Sequence, residues 1–199
     1  MFENKKEIET VLMALSEQLS AESVDRFEMV VCGGSALNIL GYIQRATEDV
    51  DVVAFVDKNK EGTTILIKAS PLKPPLIKAA KKVQKDFNLP EDWLNSKPAS
   101  VMDFGLPEGL IDRVETHTYG KNLTIHFLGR YDQIHFKLYA AVDKSGGKHY
   151  DDLIVLKPTA GELEKAARWS MTHDPSEGYR KILKDFLEKI GHEDVAKKL

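Results

Sequence analysis

The chain has 199 residues, of which 42% are hydrophobic and 30% charged, which excludes a disordered polymer and fits an ordinary globular protein. Twenty-eight basic against 31 acidic side chains leave a net charge of −3, excluding a uniformly basic nucleic-acid coat and an acidic tail. The single cysteine, Cys32, excludes an internal disulfide framework and suits a reducing compartment. The start Met1-Phe2-Glu3-Asn4-Lys5-Lys6 is too polar for a signal peptide, and no apolar run approaches the roughly 20 residues of a membrane helix. The expectation is a cytoplasmic protein with no membrane association. At about 150 residues per domain, the length predicts one domain over 1–199.

In chain order, Ile8, Val11, Leu12, Leu15 and Leu19 recur at helical spacing and predict an amphipathic N-terminal helix. Phe27 to Cys32 is an apolar run that stops at Gly33-Gly34, as a buried strand entering a tight turn does. Ser35 is placed to cap a following helix through Ala36, Leu37, Ile39, Leu40 and Ile43. Asp51 to Val56 predicts a second buried strand, and Thr63 to Ala69 a further extended or loop segment. Pro71, Pro74 and Pro75 mark a break before a lysine-rich helix over Leu76–Phe87.

Leu123 to Leu128 predicts a third core strand. A helix follows from about Asp132 to Val142, ended by Ser145-Gly146-Gly147. Pro158-Thr159 and Asp174-Pro175-Ser176 each open a helix, the second carrying the stripe Tyr179, Ile182, Leu183, Phe186, Leu187, Ile190. The order of elements predicts an α+β fold with a mixed β-sheet flanked by helices, its core over 25–157 and a helical C-terminal segment over 158–199.

The stretch that carries chemistry is Val31-Cys32-Gly33-Gly34-Ser35-Ala36, followed by Arg45-Ala46-Thr47-Glu48-Asp49-Val50-Asp51-Val52. Alternation along a strand points Asp49 and Asp51 the same way, with Val50 and Val52 toward the core. Two carboxylates roughly 7 Å apart repel unless a cation sits between them. A pair of Mg²⁺ ions fits, because hard cations take oxygen ligands and bridge to substrate phosphates. Gly33 and Gly34 allow a phosphate chain close to the backbone, and Ser35 adds a hydroxyl. Such an arrangement suits in-line attack on a nucleoside triphosphate with departure of pyrophosphate. A dinucleotide-binding reading ranks lower, since the glycines lack the G-x-G-x-x-G spacing and the acids come as a pair at the start of the strand.

These residues, with Leu89-Pro90-Glu91-Asp92-Trp93-Leu94-Asn95, Leu106-Pro107-Glu108-Gly109, Lys137-Leu138-Tyr139-Ala140-Ala141, His149-Tyr150-Asp151-Asp152-Leu153 and Pro158-Thr159-x-x-Glu162-Leu163, resemble a known group. It is the minimal nucleotidyltransferase fold of the DNA polymerase beta superfamily, in its AbiEii-type and DUF6036 branch. The resemblance covers most of residues 25–170. It implies that Gly34 and Ser35, next to Gly33, form the turn that holds the nucleotide phosphates and that Asp49 and Asp51 bind Mg²⁺ or Mn²⁺. It further implies that Lys137 lies near the phosphates and that Asp152, beside Asp151, is the downstream acid. The substrate implied is a nucleoside triphosphate, the acceptor an RNA or a protein, and the setting a toxin with an antitoxin partner. One departure stands out: the polymerase-like pattern places a third metal carboxylate on a later strand, and Leu123 to Leu128 has no acid. A catalytically inactive binding or regulatory module on the same fold is therefore the competing expectation.

Lys137 has two readings from the sequence itself. On a helix it sits at the edge of an apolar stripe, and its stem either snorkels over the core or aims its cation at a triphosphate. Asp151-Asp152 likewise serves either catalysis or a helix N-terminus. Histidines 117, 126, 135 and 149 have spacings that fit no zinc motif, Cys32 reads as a small buried hydrophobe, and Trp93 and Trp169 read as packing anchors. Between Lys58 and Lys85 there are eight lysines against one acid, Glu61, a local charge of +7 that reads as a solvated face or as a site for a polyanionic acceptor.

Overall fold

A computed structural model describes residues 1–22, 25–143 and 147–199. The predicted end of the third long helix at Ser145-Gly146 lies outside the described residues. The chain divides into two compact units, Met1–Asp103 with Ile111–Leu128, and Phe104–Leu110 with Gly129–Leu199.

The first unit is built on a mixed sheet. Helix α1 (Lys5–Ala21) precedes strand β1 (Phe27–Cys32), helix α2 (Gly33–Ile39), strands β2 (Val50–Lys58) and β3 (Thr64–Lys68), and helix α3 (Pro74–Asp86). The short strand β4 (Leu94–Asn95) and strands β5 (Glu115–Tyr119) and β6 (Leu123–Phe127) complete it. The strand order is β3-β2-β1-β6-β5, with β4 alongside the start of β2. β1 runs antiparallel to β2 and parallel to β6, the mixed sheet expected. Ile8, Leu12, Leu15 and Leu19 of α1 and Leu76, Ala79 and Val83 of α3 close over Met29, Val31, Val50, Val52, Ile125 and Phe127. Each of the larger side chains contributes roughly 1.5–3 kcal/mol by leaving water.

A bulge shapes the central pair. Val30 faces Ala54 but Val31 faces Val52, so Val53 is an extra residue in β2. The core side chains of β2 accordingly change from even positions, Val50 and Val52, to an odd one, Phe55. Asp51 therefore keeps the face opposite the core, although Phe55 further along the strand returns to it. At the edge, Ile65 and Ile67 of β3 are partly exposed, and Lys58, Lys60 and Lys68 flank them as charges that discourage pairing with another strand.

The lysine-rich segment proves partly structural. Lys78 and Lys82 both bind the carboxylate of Glu22, Lys68 binds Asp103 at 2.7 Å, and Lys73 lies 4.7 Å from the ring centre of Phe55. Helix α2 departs from expectation at both ends. It starts at Gly33, with Cys32 in the capping position, so Ser35 is its third residue and not its cap. It stops at Ile39 instead of reaching Ile43, where Gly41 takes a positive φ of 76° that ends the turn.

The second unit holds helices α4 (Arg130–Asp143), α5 (Lys148–Val155), α6 (Ala160–His173), α7 (Glu177–Lys189) and α8 (Glu193–Ala196). Ser176 caps α7, whose buried face is Tyr179, Leu183, Phe186 and Leu187, while Ile182 of the expected stripe is exposed. Trp169 anchors the unit: its ring stacks on Phe136 at 5.5 Å, and its Nε1 donates to the Gly105 carbonyl at 3.0 Å. Thr159 and Glu162 form a capping box at the start of α6. Arg130 donates to both Glu162 oxygens and to the carbonyls of Leu156 and Lys157, tying the end of α5 to the start of α6.

The hydrogen bond from Arg130 chiefly holds the Glu162 carboxyl at about 2, against an ordinary 4.5. A depressed carboxyl stabilises the folded chain fully above its unfolded value and loses that contribution as pH falls toward the folded one. We therefore expect Glu162→Gln to lower the urea midpoint near neutral pH and to lose that difference as pH drops from about 4.5 to about 2. Equal deficits at both ends of that range would show that the carboxylate charge does not act through Arg130.

Candidate active site

The sequence motif folds into one corner of the first unit. β1 ends at Cys32, whose partner on β2 is Asp51; on its other side Asp51 pairs with Asn95 of β4. Gly33 turns the chain into α2 with φ of +80°, a conformation that costs a residue with a Cβ about 1–2 kcal/mol. Space enforces the same choice, since a Cβ on Gly33 would stand 2.5 Å from Oδ2 of Asp51. A Cβ on Gly34 would meet Oγ1 of Thr47 at 2.7 Å and Nη2 of Arg45 at 3.4 Å. Both glycines thus admit protein atoms: one receives the carboxylate of Asp51, the other the loop that leads to Asp49. Asn38 ties the two together, its amide donating to the carbonyls of Gly34 and Arg45 at 3.1 and 2.9 Å.

Asp49 and Asp51 are half-buried, and Asp49 accepts no hydrogen bond among the described residues. Ser35 is completely buried, and its hydroxyl has no partner among the described residues. A buried hydroxyl left unsatisfied costs about 1–3 kcal/mol, so it marks a place where a ligand atom would be stabilising.

Among the described residues, no three His, Cys, Asp or Glu side chains gather around one point. The donor set is the two-carboxylate kind, which suits a divalent cation that completes its shell with water and substrate phosphate oxygens. On that chemistry Asp49 and Asp51 fit Mg²⁺. β6, Leu123–Phe127, carries no carboxylate beside β1.

Lys97 is a neighbour that the sequence did not reveal. Its ammonium hydrogen-bonds Asp92, and that bond, with the charges of Asp92, Asp49 and Asp51, raises its pKa above the ordinary lysine value. Asp92 is lowered correspondingly, first by that bond. Lys97 follows β4 directly, with its backbone N–H donating to Oδ1 of Asn95 at 2.9 Å. The sequence signal was the alternation Trp93-Leu94-Asn95, two residues too short to stand out as a strand.

In the second unit, Lys137 of α4 and Asp152 of α5 meet at 2.7 Å, with side chains only 5% and 1% exposed. Lys137 therefore does not snorkel to water. The structure brings together two residues that family resemblance singled out separately, and it divides the acid pair: Asp152 is buried and Asp151 exposed.

Two outcomes follow. Gly33→Ala should destabilise the chain by at least about 1–2 kcal/mol in urea unfolding, because backbone strain and the clash with Asp51 act together; an unchanged midpoint would contradict the contact. Lys137→Ala removes the cation from a buried carboxylate and should cost about 3–5 kcal/mol, whereas the apolar pair Lys137→Met with Asp152→Leu should lie nearer the parent. Equal loss in both variants would mean that packing, not charge, sets the penalty.

The family described as Nucleotidyltransferase of unknown function (DUF6036) matches residues 10–154, a span that contains Gly33 to Ser35, Asp49, Asp51, Lys137 and Asp152. No curated protein and no solved structure matches the chain. No helix among the described residues is long and apolar enough to cross a membrane. With most of its length matched, the chain belongs to the DUF6036 family of nucleotidyltransferases.

Proposed function

We propose that the protein transfers a nucleoside monophosphate from a nucleoside triphosphate to a hydroxyl or phosphate of an RNA or protein acceptor, in a Mg²⁺- or Mn²⁺-dependent reaction. The observation that carries this reading is the packing of Asp51 against Gly33, which sets that carboxylate beside the Gly-Ser turn and its unsatisfied hydroxyl. Asp49 and Asp51 would hold the cation, and the Ser35 hydroxyl would donate a hydrogen bond to a phosphate oxygen. Bound there, the metal neutralises triphosphate charge and makes the acceptor hydroxyl easier to deprotonate. A bond forms between the acceptor oxygen and the α-phosphorus, the bond to the bridging oxygen breaks, and pyrophosphate leaves; the acceptor proton passes to water. The family resemblance assigns Lys137 to the phosphates; within the second unit its ammonium is held in a buried pair with Asp152. A toxin role with an antitoxin partner follows from the resemblance alone.

A second reading is a nucleotide-binding module without catalysis, favoured by the absence of an acid on β6. Incubation with triphosphates labelled at the α-phosphate, total RNA and Mg²⁺ separates the two. Transfer of label that disappears in Asp51→Asn is the expected result. Binding without transfer supports the module, and neither binding nor transfer overturns both.

A further inference from the structure

Asp49 lies on a loop between Ile39 and Val50 that has no regular structure of its own, so something else must hold the carboxylate still. Two distant parts of the chain grip it, one on each side. Two residues before Asp49, Thr47 forms an isolated antiparallel bridge with Phe2: the Phe2 N–H donates to the Thr47 carbonyl at 2.6 Å, and the Thr47 N–H to the Phe2 carbonyl at 2.9 Å. One residue after it, the Val50 N–H donates to the Trp93 carbonyl at 2.6 Å, where β4 begins to pair with β2. The two gripping residues touch each other, since the Phe2 and Trp93 rings meet edge to face at 6.3 Å and 78°. Both rings are 1% exposed. Trp93 is in turn fixed by its Nε1, which donates to the Ala80 carbonyl of α3 at 3.1 Å.

We propose that Phe2 is a positioning residue for Asp49: with Trp93 it forms a pincer that fixes the metal-binding loop through Thr47 and Val50. The proposal rests on the nucleotidyltransferase reading above. Phe2 touches no reacting atom. It acts by restricting the backbone on either side of a carboxylate that has no hydrogen bond of its own among the described residues. Thr47 is the right residue to grip, because its other side lies against Gly34. Loosening it frees the loop from the glycine turn as well as from Phe2.

Loss of the Phe2 ring also removes core packing, so the test compares it with a purely structural lesion. Leu19 is fully buried in the same core at the far end of α1, roughly 22 Å along the helix from Asn4. Phe2→Ala, Phe2→Leu and Leu19→Ala are compared by calorimetry with ATP, GTP, CTP and UTP, each with Mg²⁺, and by amide hydrogen exchange over residues 45–51. For the triphosphate that the parent binds, Phe2→Ala should raise Kd roughly tenfold or more and speed exchange at Thr47 and Val50. Leu19→Ala should change neither beyond about twofold despite a comparable fall in Tm, and Phe2→Leu, which retains bulk, should recover most of the affinity. Equal effects of Phe2→Ala and Leu19→Ala, or unchanged exchange at Thr47 and Val50 in Phe2→Ala, overturn the pincer. Should the parent bind no triphosphate, the proposed function falls, while exchange still decides whether Phe2 holds the loop.

Discussion

The carboxylate of Asp51 occupies the space that a side chain on residue 33 would need, and the rest of the candidate site depends on that one contact. An antiparallel pair brings Cys32 opposite Asp51, but pairing alone sets a carboxylate beside a strand, not beneath a helix start. A residue with φ of +80° and no Cβ lets the chain reverse into α2 without pushing β2 away. Gly34, also without a Cβ, makes room one residue later for Thr47, so two strands, a helix and a loop converge within contact distance. The bulge at Val53 makes this compatible with a continuous core, because it lets β2 present Val50 and Val52 inward at one end and Phe55 at the other.

Charge is handled differently in the two units. In the second, Lys137 and Asp152 are sealed together, an arrangement that adds little net stability over an apolar pair but is costly to break singly. Such a pair serves best where one charge must point in a fixed direction. Arg130, by contrast, stays partly exposed and works as a clip, neutralising Glu162 while satisfying carbonyls that the end of α5 leaves open. At the surface of the first unit, Glu22 gathers Lys78 and Lys82, which turns part of the positive segment into a tie between the end of α1 and α3. A local charge of +7 in the sequence is thus less in space, since acids distant in the chain fold back onto it.

The helices and the three apolar strands were legible because burial repeats with a period of 3.6 or 2, and the Gly-Ser and Asp-x-Asp pattern was legible because it is local. What escaped reading was either too short, too polar or too remote. β4 is two residues long, and β5, Glu-Thr-His-Thr-Tyr, lies at the sheet edge, where threonines can face solvent and no apolar alternation is required. Ser35 looked like a cap because a helix after two glycines is expected to start beyond them; here the glycines themselves make its first turn. Lys137 read correctly as lying at the margin of an apolar stripe, yet nothing on its own helix announces that the partner is Asp152, on the next. The Phe2–Trp93 contact joins residues 91 apart in sequence, and no periodicity carries that information.

The balance of charge in the corner gives the last step. Asp49 and Asp51 are both half-buried. Lys97 lies near enough to be stabilised by both, but its ammonium is bound to Asp92. The Arg45 guanidinium lies near Gly34. Lys97 is thus directed to a carboxylate outside the acid pair. Its charge acts on Asp49 and Asp51 through space, while its hydrogen bond ties together the residues on either side of β4.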